Sequence, residues 1–374
     1  MPVEITGLVS HNSGTPLYPA AQGEFDPQAI VESARAQEAA GYDRVLIANN
    51  SLMPDSHNIA TFVLSHTTRL KVLLAHRPGF IAPTMAARML TTVDRLSGGG
   101  RVTVHIIAGP SDKELEADGD FTAKPERYAR ALEYVQVMRK AWGADAPFDH
   151  EGPYYRCNNA YAPVRPEGGA IPVSWAGTSP ESVEACGQVA DLFAMSGDSL
   201  ANIGATMERV RAAADAQGRK VGFMMTILAI LGDTEEQAWA KAERVLGEFH
   251  EMMARAGTAP AKGPSNFQSA THGGDAVLAT AAAAQRHDRC LWMGVTHAAQ
   301  GRFGNQATLV GTPDQVRDAL MDYYRMGVTH FLIRGFRPAQ DAAEYGEKLF
   351  PLLRAAADAH DADARDADAH RAMA

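Results

Sequence analysis

The sequence predicts a (β/α)8 barrel, an α/β fold in which eight parallel strands alternate with helices. Short apolar runs rich in branched residues alternate with amphipathic segments, and the alternation repeats about eight times along the 374 residues. Parallel strands require such crossovers, because each connection must pass over the sheet. A doubly wound open sheet is the alternative, but no G-x-G-x-x-G follows the first strand.

The apolar runs predict the eight strands directly. They cover residues 5–9, 44–47, 71–75, 102–107, 173–176, 191–194, 223–230 and 330–333. The helix before the last strand has the clearest end signals. Thr312-Pro313 predicts its start, Gln315 is placed for a capping box, and Gly327 predicts its end.

The chain is predicted to form one domain over residues 1–357 with two insertions. Residues 146–169 combine Pro, Gly and aromatic residues, and residues 257–306 are polar and rich in Gly and Ala. Long excursions of this kind in a barrel often form lids or binding loops. Residues 358–374 form an Ala/Asp/His tail of low complexity, which we expect to be disordered.

Composition excludes several classes of function. The formal net charge of -9 disfavours nucleic acid and anionic membranes as partners. No unbroken apolar stretch is long enough for a membrane span, and the amino-terminal residues lack a secretory signal pattern. Three widely spaced cysteines suit neither a disulfide framework nor a zinc site, so a cytoplasmic location is expected.

Polar residues follow several of the predicted strands. In barrels, side chains at the carboxyl ends of the strands point into the active site. The candidates at these ends, or just inside them, are His11, Asn49, Asn50, His76, Arg77, His105 and Arg334. Any one histidine can equally be structural. With no H-x-H, no H-E-x-x-H and no carboxylate at a matching strand end, no metal site is predicted.

The segment from Trp175 to Ser179 places small residues between a strand and a helix. Backbone N–H groups and the helix dipole make such a turn suitable for an anion such as phosphate. A plain β-α turn would use the same residue types, so this signal is weak alone.

One long string resembles a known family. Residues 77–101, RPGFIAPTMAARMLTTVDRLSGGGR, resemble the signature of the bacterial-luciferase-like flavin monooxygenases, and above all the alkanesulfonate monooxygenases. Further similarity runs through residues 126–128, 175–179, 218–220, 291–295 and 309–353. The resemblance implies a TIM barrel with insertion segments, acting as a homodimer or homotetramer.

The same resemblance implies a two-component enzyme. Reduced FMN (FMNH2) would come from a separate NAD(P)H-dependent FMN reductase, and O2 would add to it to give a peroxyflavin that oxygenates a small molecule. Such a site must exclude water and place hydrogen-bond donors near the flavin. The implied substrate is a small organosulfur compound, which indicates a role in sulfur metabolism.

The resemblance also assigns roles to single residues. Tyr128, Gly177, Thr178 and Ser179 match positions near the FMN phosphate. His105 and Ala108 stand where the family more often has Asn and Thr lining the flavin. His11 matches a pocket histidine and Arg302 matches the arginine of a mobile loop, and these two are the predicted catalytic residues.

The predicted substrate pocket departs from the alkanesulfonate pattern. Met53 replaces a cysteine, Thr226 and Leu228 replace an arginine and a histidine, and Phe336 replaces a tyrosine. A buried sulfonate needs charge-assisted donors. The substrate is therefore expected to be less anionic, or to be held differently by His76, Arg77, Arg334 or Arg302. An F420-dependent oxidoreductase and a non-catalytic flavin-binding relative are the alternative functions.

Overall fold

The computed structural model describes residues 2–109, 111–256, 272–299 and 307–373. Eight parallel strands form a closed barrel within these residues. They are β1 (Glu4–Val9), β2 (Arg44–Ile47), β3 (Lys71–His76), β4 (Val102–Ile106), β5 (Val173–Ala176), β6 (Leu192–Ser196), β7 (Gly222–Leu231) and β8 (Val328–Arg334).

Closure occurs because every barrel strand pairs with strands on both sides, including β6, which pairs with both β5 and β7. Thr6 lies opposite Arg44 of β2 and opposite Leu332 of β8. An open sheet would leave β1 or another strand at an edge, so the doubly wound alternative is excluded. The predicted (β/α)8 barrel is confirmed, and each predicted strand coincides with an observed one.

Helices surround the barrel. In the described part of the chain they span Pro27–Ala39, Ser56–Ser65, Pro83–Leu96, Asp112–Ala117, Lys124–Gly143, Pro180–Val189, Leu200–Asp215, Glu235–Ala256, His272–Ala283, Gly294–Ala299, Pro313–Met326, Pro338–Lys348 and Phe350–Met373. None of these helices is both long and apolar enough to cross a membrane. The capping box of Thr312 and Gln315 is present, and Gly327 ends that helix with a φ of 108°.

Successive side chains of each strand point alternately outward and inward, and this separates two cores. Outward side chains such as Val45, Val104 and Phe193 pack against the helices in the main core. Inward side chains form a smaller cluster inside the barrel, which comprises Leu73, Leu192, Ala194 and Met224 with Leu46 and Ala176 at its edge. The direction of each strand residue therefore follows from its position in the alternation.

A third apolar cluster lies beyond the carboxyl end of β7. A short strand, Thr308–Gly311, pairs in parallel with this end, and Thr308 lies opposite Leu228. Helices Glu235–Ala256 and Gly294–Ala299 contribute further side chains. We call this the upper cluster, and its buried members include Leu17, Leu228, Phe249, Trp292, Val310 and Phe336. It closes one side of the barrel mouth with apolar side chains.

Two regions have secondary structure that the sequence did not predict. Residues 146–169 contain an antiparallel hairpin of strands Phe148–Glu151 and Arg156–Ala160. The carboxylate of Glu133 in helix Lys124–Gly143 accepts hydrogen bonds from the N–H groups of Tyr154 and Tyr155, both at 3.0 Å, which join the hairpin to this helix. The chain beyond residue 357, where disorder is predicted, continues as helix to Met373.

Candidate active site

The floor of the barrel mouth is small and mostly apolar. Near the carboxyl ends of the strands, the inward side chains of Leu8, Leu46, Ala176 and Thr226 are half-buried. Deeper inward residues, such as Leu73, are fully enclosed. The four half-buried side chains form an uncharged floor, on which a flat apolar ring could lie, and Arg334 stands beside it at the end of β8.

A turn at the end of β5 approaches neighbouring side chains closely. Gly177 has a φ of +118°, and a Cβ built on it would stand 2.8 Å from Tyr128 Oη and 2.5 Å from Ser182 Oγ. Ser179 then caps helix Pro180–Val189, since its hydroxyl accepts a 3.4 Å hydrogen bond from the N–H of Ser182. The chain thus forms a tight turn that presents a helix amino terminus.

Polar groups of this turn lack partners. Thr178 Oγ1 is buried without a hydrogen bond, and the Tyr128 hydroxyl makes none with any residue that the structure describes. Arg209 adds a positive charge, because its Nη2 donates to the carbonyl of Thr178 at 2.5 Å. Thr178, Pro180, Val183 and Arg209 line a depression of about 380 Å³.

These groups together fit a phosphate monoester, such as that of FMN. Hydroxyl donors, a helix amino terminus and a guanidinium are the groups that bind phosphate in proteins. We call the set Tyr128, Gly177, Thr178, Ser179 and Arg209 the phosphate cradle. Sequence reasoning missed Arg209, since an exposed arginine on a helix has no local signal that separates it from other surface arginines.

His105 lies inside the barrel below the mouth. Its Nδ1 shares a 2.9 Å hydrogen bond with Ser174 Oγ of the neighbouring strand. Burial lowers the pKa of His105 to about 4, so the imidazole is neutral at pH 7. Ala108, two residues beyond the end of β4, is partly buried and packs against the main core. The two predicted flavin-lining positions are thus uncharged.

His11 and Met53 line one cavity at the ends of β1 and β2. The cavity measures about 440 Å³, and Asn12, Asn50 and Leu52 also contribute to it. His11 Nε2 lies 3.1 Å from Asn12 Nδ2. Burial lowers the pKa of His11, while the Glu24 carboxylate acts in the opposite direction. The structure therefore brings together two residues that sequence analysis placed in the pocket.

His76 faces away from the mouth, which corrects its assignment to the substrate pocket. Its Nε2 shares a 2.7 Å hydrogen bond with the hydroxyl of Tyr134 in the helix layer, and its ring packs edge-on against His57. Burial lowers the pKa of His76 to about 3. His76 points outward because side chains alternate along β3. Leu74 and His76 face the helices, so the inward residue at this end of β3 is Ala75.

Arg77 is buried but already neutralised, which removes it as a free cation. Its guanidinium pairs with Glu114 and lies 3.0 Å from Asp118 Oδ2. Both carboxylates come from the region after β4, so sequence position alone gave no sign of the pairing. A fixed anion of the substrate would have to compete with these two carboxylates.

The remaining pocket candidates lie on the β7–β8 side of the mouth. Leu228 and Phe336 are buried in the upper cluster, and Thr226 is half-buried at the floor. Arg334 ends β8, and no hydrogen bond or carboxylate partner is found for it in the described ranges. Arg302, the predicted loop arginine, lies outside the described residues.

Residues 6–330 match the model of the luciferase-like monooxygenase family, and the chain belongs to that family. Solved structures with the same fold include a riboflavin lyase in complex with modified FMN and riboflavin (19% identity, 95% of this chain and 92% of that chain covered, TM-score 0.73). An EDTA monooxygenase from Chelativorans sp. BNC1 has 18% identity, with 95% of this chain and 94% of that chain covered, and a TM-score of 0.73.

An F420-dependent secondary alcohol dehydrogenase also has this fold. It shares 16% identity, with 94% of this chain and 99% of that chain covered and a TM-score of 0.65. Likenesses at such low identity support the barrel, while the choice between FMN and F420 depends on the site itself.

Proposed function

We propose that this chain is a two-component monooxygenase that takes reduced FMN from a separate NAD(P)H-dependent FMN reductase and oxygenates a small organosulfur compound. The observation that carries the proposal is the phosphate cradle, with its buried unpartnered Thr178 hydroxyl. FMN ends in a phosphate monoester that would use this hydroxyl, the Ser179 helix cap and Arg209. When bound, reduced flavin supplies the electrons that activate dioxygen.

The chain's own residues would position the flavin and exclude water. The uncharged side chains of Leu8, Leu46, Ala176 and Thr226 give a flat ring an apolar surface from which water can be displaced. His105 stays neutral and is fixed by Ser174, so it can hydrogen-bond a ligand without adding charge. His11 and Arg302 are the proposed catalytic residues, the first at the cavity beside Met53 and the second by family resemblance.

Charge balance at the mouth favours a neutral or singly charged substrate. Arg77 is neutralised by Glu114 and Asp118, and Leu228 and Phe336 are packed in the upper cluster where the alkanesulfonate enzymes have polar groups. Arg334 is then the one strand-end arginine of the described residues whose charge is not neutralised, so the mouth can compensate a single negative charge. Sulfides, sulfones and singly charged organosulfur compounds are therefore better candidates than substrates with two or more fixed charges.

A coupled assay tests this function. The purified protein is mixed with a flavin reductase, NADH, FMN and oxygen, and sulfonates, sulfones, sulfides and carbon analogues are screened for product by mass spectrometry. We expect product from the neutral or singly charged organosulfur members, and none when the protein is omitted. Absence of product across the panel, together with tight binding of F420, would favour the F420-dependent alternative.

A further inference from the structure

Arg334 stands at the mouth without a counter-ion. Along β8, Ile333 points outward into the main core, so Leu332 and Arg334 point inward. Arg334 lies opposite Leu228, and the pairing of Thr6 with Leu332 places it beside Leu8. Its Nε is buried without a hydrogen bond, and no carboxylate of the described residues lies within ion-pair distance. It is a largely enclosed cation among apolar neighbours.

The other enclosed arginines of the barrel are compensated. Arg44, at the opposite end, pairs with Glu4 at 3.1 Å, and Arg77 pairs with two carboxylates. An enclosed charge without a partner is unfavourable, and the fold has neutralised such charges elsewhere. A bound anion would offset this cost at Arg334. The guanidinium also presents paired N–H donors, which suit a planar, delocalised oxyanion.

We infer that Arg334 is the specificity-determining residue of the mouth and binds one group that carries a single delocalised negative charge. This inference rests on the proposed function, which supplies two ligands that could carry this negative charge. One source is the pyrimidine edge of reduced FMN, which is deprotonated near neutral pH, whereas oxidised FMN is neutral there. The other is an oxoacid group of the substrate. Arg77 cannot bind such a group, because its charge is already neutralised by Glu114 and Asp118.

Binding measurements on Arg334→Met and Arg334→Lys test the inference, with Arg325→Met as the matched control. Arg325 is exposed on helix Pro313–Met326 and pairs with Asp322. The first arm titrates each protein anaerobically with reduced FMN and, separately, with oxidised FMN. The second arm compares benzenesulfonate with methyl phenyl sulfone by calorimetry without flavin, since the two probes differ mainly in charge.

In each arm, the preference is the ratio of the affinity for the ligand with the additional negative charge to that for its counterpart without that charge. In one of the two arms, Arg334→Met should lower this ratio about 10- to 100-fold, the usual effect of losing a charge-assisted hydrogen bond. Loss in the first arm identifies the reduced flavin as the source, and loss in the second identifies the substrate. Arg334→Lys should retain part of the preference, and Arg325→Met all of it.

The melting temperature separates this role from a structural one. Because Arg334→Met removes an enclosed unpaired charge, its melting temperature should equal or exceed that of the wild type. Unchanged preference in both arms would overturn the inference, and a lowered melting temperature would then assign Arg334 to the fold. A wild-type protein that binds no reduced FMN would contradict the proposed function instead, while the sulfonate and sulfone pair would still test Arg334.

Discussion

At the scale of single residues, the site depends on which polar atoms lack partners. Thr178, Tyr128 and Arg334 have hydrogen-bonding groups without a partner among the described residues, at the mouth or beside it, whereas His76 bonds Tyr134 and the charge of Arg77 is neutralised by Glu114 and Asp118. Unused groups in an enclosed place are the ones that a ligand can satisfy.

The Thr178 hydroxyl is expected to bind the flavin phosphate. Thr178→Val keeps the shape and removes only the hydroxyl, so the affinity for reduced FMN should fall about 10- to 100-fold. Riboflavin, which lacks the phosphate, should bind the variant and the wild type equally. Anaerobic fluorescence titration measures both ligands. Thr92→Val is the control, since the Thr92 hydroxyl bonds only the carbonyl of Arg88 on an exposed helix face; equal losses for both flavins would argue against a phosphate role.

Sequence analysis found the residue types of the site and misjudged some of their partners. His11 and Met53 line one cavity, and Tyr128 and Thr178 lie at the cradle. His76 was misplaced because a one-residue difference in strand alternation reverses the direction of a side chain. The neutralisation of Arg77 depends on Glu114, which lies far along the chain and has no local signal.

At the scale of elements, the turn after β5 places the cradle. Gly177→Ala adds a Cβ at a φ of +118° and within 2.8 Å of Tyr128 Oη. We expect it to lower the free energy of unfolding by about 1–3 kcal/mol and to abolish binding of reduced FMN. Gly98→Ala is the matched control, because Gly98 has a φ of +92° with nothing within 4 Å of the added Cβ.

Denaturant unfolding and flavin titration of both variants check this prediction. Gly98→Ala should lower the free energy of unfolding only by the strain of an alanine at a positive φ, and it should bind flavin as the wild type does. If the two variants lost the same free energy and both retained flavin, the close approach at Gly177 would have no functional meaning.

Elements defined by local pattern were predictable, and those defined by distant contacts were not. The strands and the Thr312 capping box follow from periodicity and end signals within a few residues. The hairpin at residues 148–160 depends on Glu133, and the terminal helix is held in part by the 3.0 Å hydrogen bond between Tyr324 and Asp361. Neither contact is visible in local sequence.

At the scale of the whole molecule, buried histidines make stability depend on pH. Burial lowers the pKa of His76 to about 3 and of His105 to about 4, and it also lowers that of His57. The unfolded chain therefore binds protons that the folded chain excludes. The stability that His76 and His105 contribute is complete above about pH 6.5 and is lost as the pH falls toward 4, by about 1.4 kcal/mol per pH unit for each of the two.

His105→Asn tests this dependence, since asparagine does not titrate and the family often has it at this position. The free energy of unfolding, measured by denaturant between pH 7 and pH 4.5, should fall less steeply in the variant than in the wild type. Equal slopes would show that His105 takes up its proton in the folded protein at the same pH as in the unfolded chain.

The central claim is that the closed barrel and its phosphate cradle serve oxygen transfer with reduced FMN. The most direct measurement uses ¹⁸O₂ in the coupled assay, with flavin reductase, NADH and FMN, and follows the organosulfur product by mass spectrometry. The account predicts one ¹⁸O atom in each product molecule and no product without FMN. Product that carries oxygen only from water, or that forms without O2 when F420 is supplied, would contradict it.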